Sequence, residues 1–536
     1  MVLIVNTVHL ILPRLAIRLP WLVLVLGCAS LLTSVVTAPA AADEPPAETA
    51  AAAMEHDNDP VHDDESTFFW SLAEALSDVV SRPHDPLVQL LGDLLDAQHV
   101  EPATELSDEP LGLQPIPERP RLLIELNEAF LGSGQLEQGV ELPTGAVWRP
   151  SIWVFGTFRS GINYFDSRGA GPPVSEWANR LDLFSQLNLS STERVLVGFR
   201  PLDEEQGNRR VFQSHNFQSG DTRDGWNDDI QTLFFEGDLG EIFPDLDRAD
   251  SEMLDYGFSV GRQPLVLQRG LLINEDMIDA VTLTRNTLYG DGNLNLRISG
   301  FYAWDKVNRR DNNPDPSARL VGITTESDFP VSTVNIDAVY LDTHDPAGSL
   351  LVGGLSATQR LHGYHTTYNT QFHLLASYPT DGETPAAGQG ELFFSQVSWT
   401  PHHSHDLVYV NGFWANGQFS SAARGTLAGG PLGQTGLLFS AAGLGRYGAP
   451  LSNAANDAVG ASIGYQMFFD DLRQQVVVEL AGRSDTDNSG QAAIATGIRY
   501  QKAIGQHLIF IIDSFIAGSE SRGVSPGARV ELLTKF

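Results

Sequence analysis

From about Ser151 to the last residue, apolar and polar positions alternate with a period of two. In Asn293–Tyr302, Leu294, Leu296, Ile298 and Tyr302 oppose Asn295, Arg297 and Ser299. Leu181, Leu183, Leu187 and Leu189 oppose Asp182, Gln186 and Asn188, and Val530, Leu532 and Phe536 oppose Arg529, Glu531 and Lys535. Leu508, Phe510 and Ile512 share a face that Asp513 does not. Side chains of a strand point alternately to its two faces, so this is the pattern of strands with one apolar side. It predicts 18 of them, near 151–163, 181–190, 193–202, 230–237, 256–264, 277–286, 293–304, 318–326, 332–342, 348–360, 365–378, 390–401, 406–415, 460–469, 473–482, 490–502, 506–516 and 525–536. At about 8–14 residues each, they suit tilted strands crossing a bilayer.

The connections separate a membrane barrel from a soluble sheet. Counting back from the C-terminus they alternate long and short: Ala517–Gly523 is long and Ile504–Gln506 short, and Asn416–Val459 is very long while His402–His405 is short. Asp238–Asp255 alone breaks the rule, being long where a short turn belongs. Outer-membrane barrels have short periplasmic turns and longer outer loops, an asymmetry a sandwich or propeller has no reason to keep. The expected fold is therefore all-β and transmembrane: an antiparallel outer-membrane β-barrel of about 18 strands over residues 121–536, with both termini periplasmic.

Ahead of the barrel the pattern changes. Residues 1–42 read as a signal peptide: Arg14 and Arg18, the apolar run Trp21–Val36, then small residues at Ala38–Ala42. The run is shorter than the roughly 20 residues of a spanning helix. Cys28 faintly matches a lipidation box, although the apolar run continues past it. Residues 43–66 are rich in Ala, Pro and acids and read as disordered. Within 67–120, Phe69, Leu72, Ala73, Leu76, Val79 and Val80 recur at helical spacing, as do Leu87, Leu90, Leu91, Leu94 and Leu95, before a Pro-rich linker. This helical periplasmic extension is a candidate docking element for a periplasmic partner, or a plain helical hairpin.

Charge narrows the partners. With 67 acids against 33 bases the net charge is −34, which repels phosphate backbones and argues against nucleic acid. One cysteine leaves no disulfide framework and too few thiols for a Cys-rich metal site. Trp153, Trp304, Tyr340, Tyr378, Trp399, Trp414, Tyr500 and Phe536 fall near strand ends, where aromatic girdles meet lipid and lipopolysaccharide. The ending on an alternating strand with Phe536 last resembles the C-terminal strand of bacterial outer-membrane proteins, whose terminal aromatic the barrel-insertion machinery favours.

One stretch also resembles a particular family. Val260-Gly261-Arg262-Gln263, Gly270 and Leu271–Leu283 (LLINEDMIDAVTL) are similar to the strand–loop–strand of alginate-export-type outer-membrane porins. The motif spans about 25 residues, and the strand number and the long 238–255 connection extend the likeness. The resemblance implies a monomeric channel passing an anionic polysaccharide along an arginine-lined lumen; the N-terminal extension departs from a minimal exporter.

Charges cost about 2–4 kcal/mol on the lipid face at mid-membrane, so they belong inside. Parity places Arg159, Arg194, Arg200, Arg297, Arg499 and Arg529 inward among the bases, and Glu479 and Asp513 among the acids, with Asp182, Asp337, Glu531 and Lys535. Such a set either forms a selective constriction or salt-bridges a polar interior. Arg262 shares parity with Phe258 and Val260, which requires a bulge or a place at the outer interface. The Gly/Ala/Ser-rich segment 416–459 is too apolar for an exposed loop: it is expected either to fold into the barrel, offering Arg424 and Arg446 as selectivity residues, or to extend strands beyond the membrane. Asp485–Gly490 mimics the start of a calcium loop but has Thr496 where glutamate is needed, and reads as a turn. His402, His403 and His405, with His362 and His365, fall in solvated turns rather than a metal site. No catalytic constellation, cofactor site or metal site is expected. The sequence thus reads as a non-enzymatic, porin-like channel for small solutes or an anionic polysaccharide, with an occluded scaffold barrel and an outer-membrane hydrolase as rivals.

Overall fold

The structure, a computed structural model, describes residues 118–133, 138–166, 172–249, 251–290, 292–346, 348–362, 367–382, 387–401, 404–487 and 491–536. The expected signal peptide, acidic segment and helical pattern up to residue 117 lie outside the described residues, as do His365, His402 and His403.

Eighteen antiparallel strands form the wall: β1 (Ser151–Phe165), β2 (Val174–Asn188), β3 (Arg194–Phe199), β4 (Ile230–Asp238), β5 (Tyr256–Leu267), β6 (Ile273–Gly290), β7 (Asn293–Asp305), β8 (Arg319–Phe329), β9 (Ser332–Asp342), β10 (Leu350–His362), β11 (Thr367–Pro379), β12 (Gly390–Trp399), β13 (Leu407–Gln418), β14 (Asn456–Phe469), β15 (Gln474–Asp485), β16 (Ala492–Ile504), β17 (Leu508–Ser519) and β18 (Gly523–Lys535). Each pairs with the next, and β18 returns to β1 in the register Gly527↔Phe165 to Lys535↔Thr157, which closes the barrel. Phe536 finishes the seam, exchanging backbone hydrogen bonds of 3.1 and 2.8 Å with Gly156. Closure leaves no sheet edge in lipid, the condition for crossing a membrane with strands. No helix among the described residues is long and apolar enough to cross.

All eighteen expected strands are present. Some boundaries move: β2 starts at Val174 rather than 181, and β6 runs from Ile273 to Gly290 rather than 277–286. The outer connection 200–229 carries its own hairpin, Asp203–Gln206 with Arg209–Asn216. The long inner connection after β4 holds a short helix, Leu239–Ile242, capped by the Asp238 carboxylate accepting from Gly240 N. The barrel proper begins at Ser151; residues 118–150 add a three-residue strand, Ile124–Leu126, on β1 and a small hairpin, Val140–Glu141 with Val147–Trp148.

The outward face carries Ile162, Leu233, Val281, Ile323, Ile336, Leu374, Val478, Ile512 and Val530, all exposed to the surroundings rather than to protein. This is the lipid-facing band, and the chain is an outer-membrane barrel. Arg262 lies on that face with Val260 and is explained by position rather than by a bulge. It makes a two-point ion pair with Asp279 across β5–β6 (2.8 and 3.0 Å) and donates to Ile230 O near the outer ends of the strands. The neighbouring motif residues are structural too. Gly261 has φ +125° and its Cα faces the β4 backbone at Leu233, where a Cβ has no room. Gln263 donates to Ala280 O at 3.0 Å.

The interior is not uniformly polar. Along β6–β13 the inward residues of the outer half are apolar, among them Ile278, Phe301, Leu320, Val339, Val352, Leu375, Leu392 and Phe413. Two outer connections turn in to cover them: 268–272, with Leu271 and Leu272 fully buried, and 419–455, with Phe419, Leu432, Leu438, Phe439 and Leu451. The two are stitched together. Ile273–Asn274 pairs in parallel with Ala423–Arg424, and Ala422 N donates to Leu272 O at 2.9 Å.

Candidate functional site

Opposite the apolar half, strands β15–β3 present charge. Cross-strand register sets Arg499, Asp513, Arg529, Asn163 and Glu176 in one row over β16, β17, β18, β1 and β2. Arg529 donates to Asp513 at 2.5 Å and to Glu531 at 2.7 Å, Arg159 donates twice to Glu531 (2.6 and 3.0 Å), and Arg499 reaches Asp513 at 3.3 Å. A second run follows on β2 and beyond. Arg180 is bidentate to Asp182 (2.9 Å twice), Arg200 bridges Asp182 (2.9 Å) to Asp276 (2.5 Å), and Asp203 pairs with Arg180 (3.6 Å) and with Arg210. One carbonyl of the inward loop joins the two runs: Gly443 O accepts from Arg159 (3.2 Å) and Arg180 (3.3 Å). Arg446 of the same loop pairs with Glu176 at 2.9 Å, and Arg529 lies over the Tyr447 ring, 5.6 Å from its centroid.

Paired guanidinium and carboxylate groups in a low-dielectric interior satisfy each other and the loop, and they leave Arg446, Asp276 and Arg499 partly exposed. Beside them, a small cavity of about 20 Å³ lies between Leu437, Leu438, Tyr447 and Pro450 of the loop and Arg499, Asp513 and Phe515 of the wall.

The inward candidates from the sequence thus divide into three sets. Arg159, Arg200, Arg499, Asp513 and Arg529 converge on this wall, with Arg446 facing it from the loop. Arg194 and Arg297 do not join them; they face the periplasmic end, paired with Glu236 and Glu326. Glu479 and Arg424 hold the loop in place. The Glu479 carboxylate accepts from Leu437 N (2.9 Å), Leu438 N (2.8 Å) and the Tyr409 hydroxyl. Arg424 does not line a path: at 1% exposure it donates to the carbonyls of Gly270 (2.6 Å), Ala428 (3.1 Å), Gly429 (2.7 Å) and Gly430 (2.9 Å), because the strand it sits on runs through the apolar core.

Sequence reasoning missed Arg269. It stands exposed at the tip of the inward turn between β5 and β6, donating to the side-chain oxygens of Gln371 and Gln396 (2.9 Å to the latter), which are cross-strand partners on β11 and β12. Gln268 and Arg269 have φ of +51° and +55°, a left-handed conformation uncommon for residues with a side chain. Gln268 is anchored by His373 Nδ1 at 2.7 Å and donates to Asp337 at 2.5 Å. The signal available in the sequence was the apolar run Leu271–Ile273 in what the pattern makes an outer connection.

No family model matches the chain, and no curated protein matches it. Solved structures do. A BenF-like porin from Pseudomonas fluorescens Pf-5 is similar with a TM-score of 0.51 at 10% identity, over 72% of this chain and 98% of that one. The fold is that of an outer-membrane porin. Pseudomonas aeruginosa OccK2, solved in complex with glucuronate, gives 0.49 at 11% identity over 72% and 98%. OpdK of the same organism, solved with vanillate, gives 0.47 at 12% over 72% and 98%. The similar fold is a porin's, and it gives the alginate-export resemblance, and the polysaccharide which that resemblance implied, no support. Among the described residues, no group of three or more His, Cys, Asp or Glu is placed to hold a metal.

Proposed function

We propose that the chain is an outer-membrane channel for small solutes, narrowed by the inward loop 419–455 and the turn 268–272. The observation that carries this reading is the charged wall of β16–β3: a continuous run of partnered arginines and carboxylates, partly exposed, lying against loop carbonyls instead of a sealed apolar core. Small anionic solutes fit it best, since Arg269 adds a positive charge at the narrowing whose bonded partners are neutral glutamines. Liposome swelling with the purified barrel tests it: small carboxylates should enter faster than uncharged sugars of equal size, and entry should fall steeply with size.

The apolar half of the interior favours a second reading, an occluded barrel that serves as a scaffold. Liposomes that admit no solute, however small, decide for that reading.

A further inference from the structure

Below the point where β18 ends, β1 still has an unpaired edge. β18 pairs with β1 from Phe165 down to Thr157, and Phe536 takes Gly156. Ile124–Leu126 takes the rest, in the register Ile124↔Val154, Glu125↔Trp153 and Leu126↔Ile152. The chain's last residue and this N-terminal strand therefore lie end to end along one strand edge.

The short strand has two different faces. Glu125 points in, largely buried, accepting from Arg119 at 2.7 Å and Leu122 N at 3.0 Å. Its cross-strand partner Trp153 is held on the same side by Glu128 O (2.8 Å) and by the Phe130 ring in an edge contact at 5.4 Å. Ile124 and Leu126 point out and are 45% and 51% exposed, beside outward Ile152. The strand itself puts no polar side chain on that outer face. The alternation is that of a lipid-facing barrel strand, and the exposed row continues the band formed higher on β1 and β18 by Ile162, Val530 and Leu532. The inner turns fix the height: Gln506, in the turn after β16, donates to Glu118 O at 2.8 Å.

We propose that Ile124–Leu126 is an added membrane strand, with its outer face embedded in the acyl chains at the periplasmic edge of the bilayer, where it seals the β18–β1 seam. The occupant of this face is lipid because the face is continuous with the established lipid interface. The proposal rests on the barrel alone and stands whether or not the lumen conducts.

The test uses the full chain carrying Cys28→Ser, with one cysteine introduced by Leu126→Cys and labelled with bimane, in vesicles containing a phospholipid with a nitroxide on its acyl chain. Val530→Cys supplies the lipid-facing reference and Val140→Cys, on the periplasmic hairpin, the aqueous one. The label at 126 should be quenched by the nitroxide lipid to within twofold of the label at 530 and be shielded from aqueous iodide. Iodide quenching equal to that at 140 overturns the proposal. Shielding from both quenchers also overturns it, since protein would then cover the face. The conservative replacement leaves Glu125 and its anchors untouched, and retention of the folded barrel's faster gel migration before heating certifies each labelled sample.

Discussion

Replacing Glu479 with glutamine probes the clasp that keeps the loop inside the barrel. The carboxylate takes three donors: Leu437 N at 2.9 Å, Leu438 N at 2.8 Å and the Tyr409 hydroxyl. Gly436 lies so close that a Cβ there would sit 2.5 Å from Glu479 Oε2, so the carboxylate fills a fitted cradle. Glutamine keeps one acceptor oxygen and turns an NH₂ toward groups that are themselves donors. At least one charge-assisted hydrogen bond is lost and a buried N–H is left without an acceptor, a cost of about 1.5–3 kcal/mol. If the loop exchanges between seated and released states, the released fraction should rise roughly ten- to hundredfold. Single-channel recording reads this directly as more frequent excursions to a larger current, with the seated-state current unchanged. Traces of Glu479→Gln indistinguishable from the parent, with the barrel folded, would refute the reasoning that this carboxylate holds the constriction.

Arg269→Gln removes the narrowing's cation while keeping a polar side chain; a charge some 4 Å away in water attracts an anion and repels a cation by about 1 kcal/mol each, so the anion-to-cation permeability ratio from reversal potentials should fall about thirtyfold. Asp315, in the outer connection 306–318, is buried, which pushes its carboxyl up, but hydrogen bonds from Ser317, Thr343 and Arg309 outweigh this and hold it below its usual range. The stability it supplies is therefore present above an unfolded value of about 3.9 and is lost as pH falls through the lower folded value. Protease nicking of the outer loops should rise only below that pH in the parent, whereas Asp315→Asn should be nicked at neutral pH. Arg262→Gln breaks the outward pair with Asp279; it should lower the temperature at which the barrel loses its compact gel migration and leave conductance and ion selectivity unchanged.

The strand pattern was legible because the membrane imposes it: the strands alternate and the inner turns are short, the connection after β4 excepted, and eighteen strands appear with only their boundaries moved. The converging set on the charged wall was only half visible. Arg180, Glu176 and Asp203 escaped notice because β2 begins seven residues earlier than its Leu-rich alternation suggests and because Asp203 lies in an outer hairpin. The apolar half of the interior was harder still. In Ala338–Leu341 and Leu350–Leu355, both strand faces are apolar, one toward lipid and the other toward the inward segments, so parity carries no sign of which is which. Arg424 illustrates the limit of residue-type reasoning: an arginine in a small-residue loop suggests selectivity, but its five donors are all within reach of carbonyls and a serine hydroxyl, and it ties the loop to the turn.

The central claim is that a conducting lumen is narrowed by the loop 419–455. Single-channel conductance of the refolded barrel, recorded for the parent and for a variant lacking residues 431–450, tests it most directly. A steady conductance that prefers anions and rises on shortening is the expected result. A folded barrel that stays sealed in both forms would contradict it.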